Sequence, residues 1–135
     1  LDLCTGTAGV AMAATRHYGG RVVGVDLSPQ MILRARQEVE RRGLAQQVPL
    51  LLGRAESLPF PDCSFDTVCF TFLLRYVQHP EATLAEVARV LGRGAGGPPA
   101  GRVVGAAEGA DRMQFIAGDG VDTRGPHDQG AVLVS

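Results

Sequence analysis

The sequence contains no lysine, no asparagine and no tryptophan, and aromatic residues make up only 5% of it. Each shortage excludes something. All 13 basic residues are arginines, and 14 acidic residues offset them, leaving a net charge of -1. No basic face for a polyanion follows from that balance, so nucleic acid is not an expected partner. The missing lysine reads as the coding bias of a GC-rich genome, not as chemistry. Three cysteines occur, Cys4, Cys63 and Cys69, without the paired spacing of a metal site. A reduced, cytoplasmic protein with no bound metal is the expectation. No apolar run approaches the roughly 20 residues that cross a bilayer. The first residues make a poor signal peptide, because they include Asp2 and lack a basic start.

What is present is a chain of 135 residues, 45% hydrophobic and 20% charged. That suits one soluble domain with a real core. Its organising stretch is the first ten residues, Leu1-Asp2-Leu3-Cys4-Thr5-Gly6-Thr7-Ala8-Gly9-Val10. An acidic residue lies within a short apolar run, a turn of small residues follows, and a helical pattern begins. A parallel sheet hands its first strand to its first helix in this way around a small polar or charged ligand. The start at Leu1, inside a strand, predicts a fragment of a longer protein.

The rest of the chain alternates. A helix is expected over residues 10–18, with Val10, Ala11, Ala13 and Ala14 on one face and Gly19-Gly20 as its stop. A buried strand over 21–26 ends in Asp26. Ser28 caps a helix whose first residue is Pro29, with Ile32, Ala35 and Val39 on its inner face and Gly43 at its end. Residues 48–53 form a third strand, which Pro49 assigns to a sheet edge. Residues 64–71 form a fourth. A helix over 80–91 places Leu84, Val87, Ala88 and Leu91 in a core-facing stripe. Strands alternating with helices give an α/β fold with a mostly parallel sheet.

Composition changes at Gly92; 11 of the 18 glycines lie from Gly92 to Ser135. Residues 102–107 are readable as a fifth strand. Residues 108–135 have no sustained period and are expected to be an irregular or disordered tail.

Two features suggest a nucleoside-containing cofactor. Gly6 and Gly9, with small Ala8 between them, let backbone approach a ligand at the open N-terminus of a helix. Taken alone, a tight turn with no ligand explains them equally well. Asp26 ends the second strand about 20 residues further on, where a carboxylate accepts both hydroxyls of a ribose. A helix-capping Asp is its plainer explanation, but the pair together favours a cofactor.

These residues and three later segments carry a resemblance. Asp2-Leu3-Cys4-Thr5-Gly6-Thr7-Ala8 is similar to the first motif of the class I S-adenosylmethionine-dependent methyltransferases. Val25-Asp26-Leu27-Ser28-Pro29-Gln30-Met31 resembles their ribose-binding motif. The run from Gly53 to Asp66, with Arg54-Ala55-Glu56 and Leu58-Pro59-Phe60-Pro61-Asp62, resembles the adenine-side motif and the start of strand four. Leu74-Arg75-Tyr76-Val77 and Glu86-Val87-Ala88-Arg89-Val90-Leu91 resemble the segment and helix that follow. The resemblance covers residues 1 to about 97 and is nearest to the ubiquinone/menaquinone C-methyltransferase branch.

The resemblance implies a Rossmann-like three-layer sandwich, truncated at both ends, with a methyltransferase core over residues 1–107. The cofactor it implies is S-adenosyl-L-methionine, and the partner a small-molecule methyl acceptor. Asp2, Gly6 and Thr7 would lie against the methionine part, and Asp26 would hold the ribose. Arg54 and Ala55 would flank the adenine, and Thr71 would approach the sulfonium. Phe60 and Phe72 are candidate walls for that cation. Methyl transfer is an in-line displacement driven largely by positioning, so no nucleophile-base pair is required.

The chain departs from the family pattern at Ala8, where a third glycine is usual, and at Arg54, often Asp or Asn. Arg54 has no acceptor for the adenine amino group, so its side chain is expected to point away while the Ala55 N–H meets the ring. The turn after the last helix is Gly92-Arg93-Gly94-Ala95-Gly96-Gly97, and the family's later strands are not recognisable.

His17 and His79 are expected to be a surface residue and a helix-start loop residue, and His127 falls in the tail. Arg75 and Tyr76 are candidates to face a substrate. Two other functions remain open at this level. Cys4-x-Gly6-x-x-Gly9 with Asp26 partly matches a dinucleotide-dependent oxidoreductase, although that reading leaves the segment 55–66 without a role. A truncated, non-catalytic relative is the other, since the family's covering helices and C-terminal strand pair are not seen.

Overall fold

A computed structural model describes residues 1–91 and the strand at 102–106. Its contacts group into two compact units, Leu1–Ala55 and a second beginning at Glu56.

The first unit alternates strand and helix: β1 (Asp2–Leu3), α1 (Gly9–Tyr18), β2 (Gly24–Asp26), α2 (Pro29–Arg41) and β3 (Leu50–Leu52). The strands lie in the order β3-β2-β1. Both pairings are parallel, with Asp2 opposite Gly24 and Asp26 opposite Leu52. A helix between successive strands is what makes parallel pairing possible. β3 takes the outer place, in keeping with Pro49 beside it. Pro49 has no N–H to give, but its carbonyl accepts the Gly24 N–H at 2.9 Å.

α2 forms as its sequence requires. The Ser28 hydroxyl accepts the Met31 N–H at 3.3 Å, and Pro29 occupies the first turn. At the other end Gly43 is left-handed, with φ 67°. The Gly43 and Leu44 N–H groups donate to the Glu40 and Val39 carbonyls, the paired bonds that commonly end helices. Leu44 then packs on the cluster that contains Val39. Ile32, Ala35 and Val39 are buried as the spacing predicts. Burying Val39 and Ile32 contributes roughly 1.5–3 kcal/mol each.

α1 differs from its expected face. Ala11, Met12 and Thr15 are buried, while Val10 and Ala13 are exposed and Ala14 is half-buried. Val10, Ala11, Ala13 and Ala14, small apolar residues on either side of Met12, gave the pattern no direction, and bulky Met12 set the face. Ala8, Ala11 and Met12 meet Ala35, Val39 and Val48 in one core cluster.

The second unit contains β4 (Thr67–Thr71), the short α3 (Leu73–Tyr76), α4 (Pro80–Val90) and β5 (Arg102–Ala106). β4 and β5 pair in parallel from Thr67–Arg102 to Thr71–Ala106, so the fifth strand is present. Val68 and Phe70 are buried, and their neighbours in β4 are less so, the period of a strand. α3 was not expected from the sequence; at one turn it is too short to show a period.

The stripe on α4 is rotated from the expected one. Thr83, Val87 and Val90 are buried with Leu91, whereas Ala88 is exposed and Leu84 half-buried. Thr83 can be buried because its hydroxyl donates to the His79 carbonyl at 3.1 Å. The turn expected at Gly92–Gly97 and the tail over 108–135 lie outside the described residues.

A polar clamp closes the loop before β4. The Arg89 guanidinium donates to the carbonyls of Leu58 and Phe60, to Asp62 and to both oxygens of Glu86, at 2.8–3.0 Å. Glu86 in turn accepts the Leu58 N–H at 2.8 Å. The rings of Phe60 and Phe65 meet edge to face at 4.9 Å.

Candidate functional site

The turn between β1 and α1 is unusual backbone. Cys4, Gly6 and Ala8 all have positive φ, at 56°, 56° and 63°. Alternate left-handed residues turn successive N–H groups toward one side, a concavity suited to an anion or a carbonyl oxygen. Thr5 fixes the turn to the sheet. Its N–H donates to the Val25 carbonyl at 3.0 Å, and its own carbonyl accepts the Ala8 N–H at 2.8 Å. The Thr5 hydroxyl donates to Asp2 Oδ2 at 2.6 Å.

Asp2 is 1% exposed and lies beneath this turn. Thr7 and Gly9 are exposed, and Gly6 is half-buried. No side chain caps the N-terminus of α1, so the amide groups of its first turn stay available to a ligand. Ala8 is the αL residue just before that helix, which explains why glycine is the usual choice there.

Asp26 closes β2 and is half-buried. Its Oδ2 accepts the Gly6 N–H at 2.8 Å and its Oδ1 accepts the Ser28 N–H at 2.9 Å. One carboxylate therefore ties the glycine turn to the start of α2. Each oxygen accepts one bond and retains a lone pair, so ribose hydroxyls fit this carboxylate without displacing either N–H. The Asp26 carbonyl also accepts the Gly53 N–H at 3.0 Å, which brings the chain just before Arg54 to the same end of the sheet.

Of the expected site residues, Asp2, Gly6 and Asp26 join one hydrogen-bonded group through Thr5 and the turn. Arg54 is exposed and Ala55 half-buried, where the first unit ends. Thr71 closes β4 in the second unit and is half-buried. Phe72 has a φ of 59°, and Arg75 and Tyr76 are exposed on α3. His17 is exposed, and His79 sits at the N-cap of α4 with its carbonyl turned into the helix. His127 lies outside the described residues. Among the described residues no group of three His, Cys, Asp or Glu side chains could hold a metal.

Sequence reasoning passed over Thr5 and Gly24. A Cβ on Gly24 would lie 2.8 Å from Thr5 Oγ1, 3.0 Å from its Cγ2 and 2.8 Å from Leu50 Cδ2. A glycine inside a strand was the available signal, since it often marks close approach by another segment.

An acid at the end of the second parallel strand, bonded to a small-residue turn before a helix, is an arrangement that nucleotide-binding α/β folds use. Residues 1–94 match the family model described as a methyltransferase domain, and the chain belongs to that family. The demethylmenaquinone methyltransferase of Thermus thermophilus is 43% identical over 105 residues, covering 77% of this chain and 44% of that protein. The crystal structure of the YcgJ protein of Bacillus subtilis superposes with a TM-score of 0.69 at 31% identity, over 77% of this chain and 41% of that one. A SAM-dependent methyltransferase of Aquifex aeolicus shares the fold, with a TM-score of 0.66 at 22% identity, over 77% of this chain and 53% of that one.

The Rossmann-like α/β class is thus established, and the dinucleotide-oxidoreductase alternative gains no support. The chain spans about two fifths of the length of the curated relatives it matches.

Proposed function

We propose that this chain forms the cofactor-binding core of an S-adenosyl-L-methionine-dependent methyltransferase acting on a small molecule. The observation that carries the reading is the placement of Asp26, whose carboxylate is fixed by the Gly6 and Ser28 N–H groups beside the turn. There it receives the ribose hydroxyls, while the turn at Gly6 and Thr7 and the open start of α1 receive the carboxylate of the methionine arm. Asp2 supports the turn from below through Thr5. Ala55 and Arg54 border the adenine, with the Ala55 N–H as the polar contact. When bound, the cofactor would supply an electrophilic methyl group on a cationic sulfur. The residues described hold the cofactor and orient it, which is much of what an in-line displacement needs.

The names of the curated relatives support an acceptor of the demethylmenaquinone type. The low cysteine content supports a cytoplasmic setting. Among the described residues, no helix is long and apolar enough to cross a membrane. Calorimetric titration with S-adenosyl-L-methionine and, separately, with NADH tests the cofactor. Heat of binding with the first alone is expected; tight NADH binding with no response to S-adenosyl-L-methionine would overturn the reading.

A further inference from the structure

Beneath the turn, three residues from two strands and a loop interlock. Gly24 in β2 lies opposite Asp2 in β1. Thr5 comes over Gly24 so closely that a Cβ there would meet Thr5 Oγ1 at 2.8 Å and Cγ2 at 3.0 Å. From that place the Thr5 hydroxyl reaches Asp2 Oδ2 at 2.6 Å. Thr5 is 7% exposed, Asp2 is 1% exposed, and Gly24 is buried as well. All three are therefore largely enclosed. What they fix is the height and tilt of the turn above them, whose next residues are Gly6 and Thr7.

We propose that Gly24 is a positioning residue for the methionine side of the cofactor site, acting through Thr5 on Asp2. The inference rests on the S-adenosyl-L-methionine reading above and adds a residue to it. The physical reason is steric. Side chains essentially never approach as closely as a methyl on Gly24 would approach Thr5, so an alanine lifts Thr5 and the turn with it. The Leu50 contact matters less, because a Leu methyl is the far end of a side chain and can swing aside. Lifting Thr5 moves the Gly6 and Thr7 backbone directly and reaches the Asp26 carboxylate only through its bond from the Gly6 N–H, while the Ser28 N–H still holds the other oxygen. The damage should fall more on the methionine arm than on the nucleoside.

Two ligands separate these effects. S-adenosyl-L-methionine carries both parts, while methylthioadenosine keeps the nucleoside and lacks the amino-acid arm. Calorimetry on the full-length protein compares wild type with Gly24→Ala, Thr5→Ala, the double variant and Thr5→Ser. Gly24→Ala and Thr5→Ala are each expected to weaken S-adenosyl-L-methionine about tenfold and methylthioadenosine by clearly less, about twofold to threefold. The double variant should bind no more weakly than Thr5→Ala, because the atoms that the new methyl would strike are gone. Thr5→Ser keeps the hydroxyl and should bind as wild type does.

Equal losses on both ligands, or losses that multiply in the double variant, overturn the inference and leave the cofactor reading standing. A wild type that binds neither ligand overturns the cofactor reading and this inference with it. Should Gly24→Ala fail to fold, Thr5→Val tests the Thr5–Asp2 link instead, by putting a methyl of similar size in place of the hydroxyl. Unchanged binding by Thr5→Val overturns the proposal.

Discussion

The Gly6 N–H donates to Asp26 Oδ2 at 2.8 Å across a separation of 20 residues. The same carboxylate accepts the Ser28 N–H at 2.9 Å. The residue proposed to hold the ribose is thereby also a brace for the turn proposed to receive the methionine arm.

Asp26→Ala should therefore have two effects. Cofactor affinity should fall more than about tenfold, as expected for loss of charged hydrogen bonds to the ribose. Stability should fall as well, by about 1–2 kcal/mol, since two backbone donors lose a charged acceptor at a half-buried position. Titration calorimetry reads the first and chemical denaturation the second. An unchanged affinity would mean that Asp26 does not hold the ribose.

Ala8 separates backbone strain from volume. It is fully buried and left-handed, with φ 63° and ψ 26°. Ala8→Gly removes roughly 1–2 kcal/mol of backbone strain. It loses about as much through a freer unfolded chain and a missing buried methyl. Its net effect should stay within about 1 kcal/mol of zero. Ala8→Val adds branching where left-handed backbone tolerates it least, and should cost more than about 2 kcal/mol. Urea midpoints of the two variants check the contrast; equal destabilisation would show that volume, not backbone, governs the site.

Ser28→Ala removes the cap on α2, where the hydroxyl accepts the Met31 N–H. A loss of about 1 kcal/mol is expected, with Ser28→Asp close to wild type. Thermal melts monitored by circular dichroism would read the difference. A Ser28→Asp variant as unstable as Ser28→Ala would show that the cap is not what Ser28 contributes.

The clamp in the second unit predicts a pH response. Glu86 is held below the usual carboxylate range, first by its hydrogen bonds from Arg89 and further by the Leu58 N–H, with burial opposing. A carboxyl depressed in the folded state binds more protons when unfolded. Its stabilisation is therefore complete above the unfolded value and lost as pH falls through the folded one. Melting temperature should drop as pH falls below about 5, through the ordinary glutamate range and on below it. Glu38, lowered to about 2 by hydrogen bonds from Arg41 and Arg42, also loses its contribution as pH falls from the usual carboxylate range toward that value. Glu86→Gln separates the two: the gap between variant and wild type should narrow as pH falls. Parallel curves would show that the clamp contributes nothing through its charge.

Much of this was legible before any coordinates. Ser28-Pro29, Gly43 and the Ile32-Ala35-Val39 spacing marked α2 at both ends and on its inner face. That helix carries every local signal at once, a cap, a stop and a periodic stripe. α1 and α4 had helical boundaries in the sequence, but their buried faces were set elsewhere. Alanine packs or faces water with little difference in energy, so Ala13 and Ala88 gave no direction. Met12 and Thr83 were decided by what they could fill or bond. α3 gave no signal, because one turn has no period.

The sequence alone determined the alternation of strands and helices, the acid at the end of β2 and the small-residue turn after β1. These depend on spacing along the chain and on backbone preferences that are local. Tertiary structure decided the rest. Only the parallel register sets Gly24 against Asp2, and only the fold brings Thr5 over Gly24 and the Gly6 N–H to Asp26. Such contacts depend on distances between segments far apart in sequence, and no local preference encodes a gap too narrow for one methyl group.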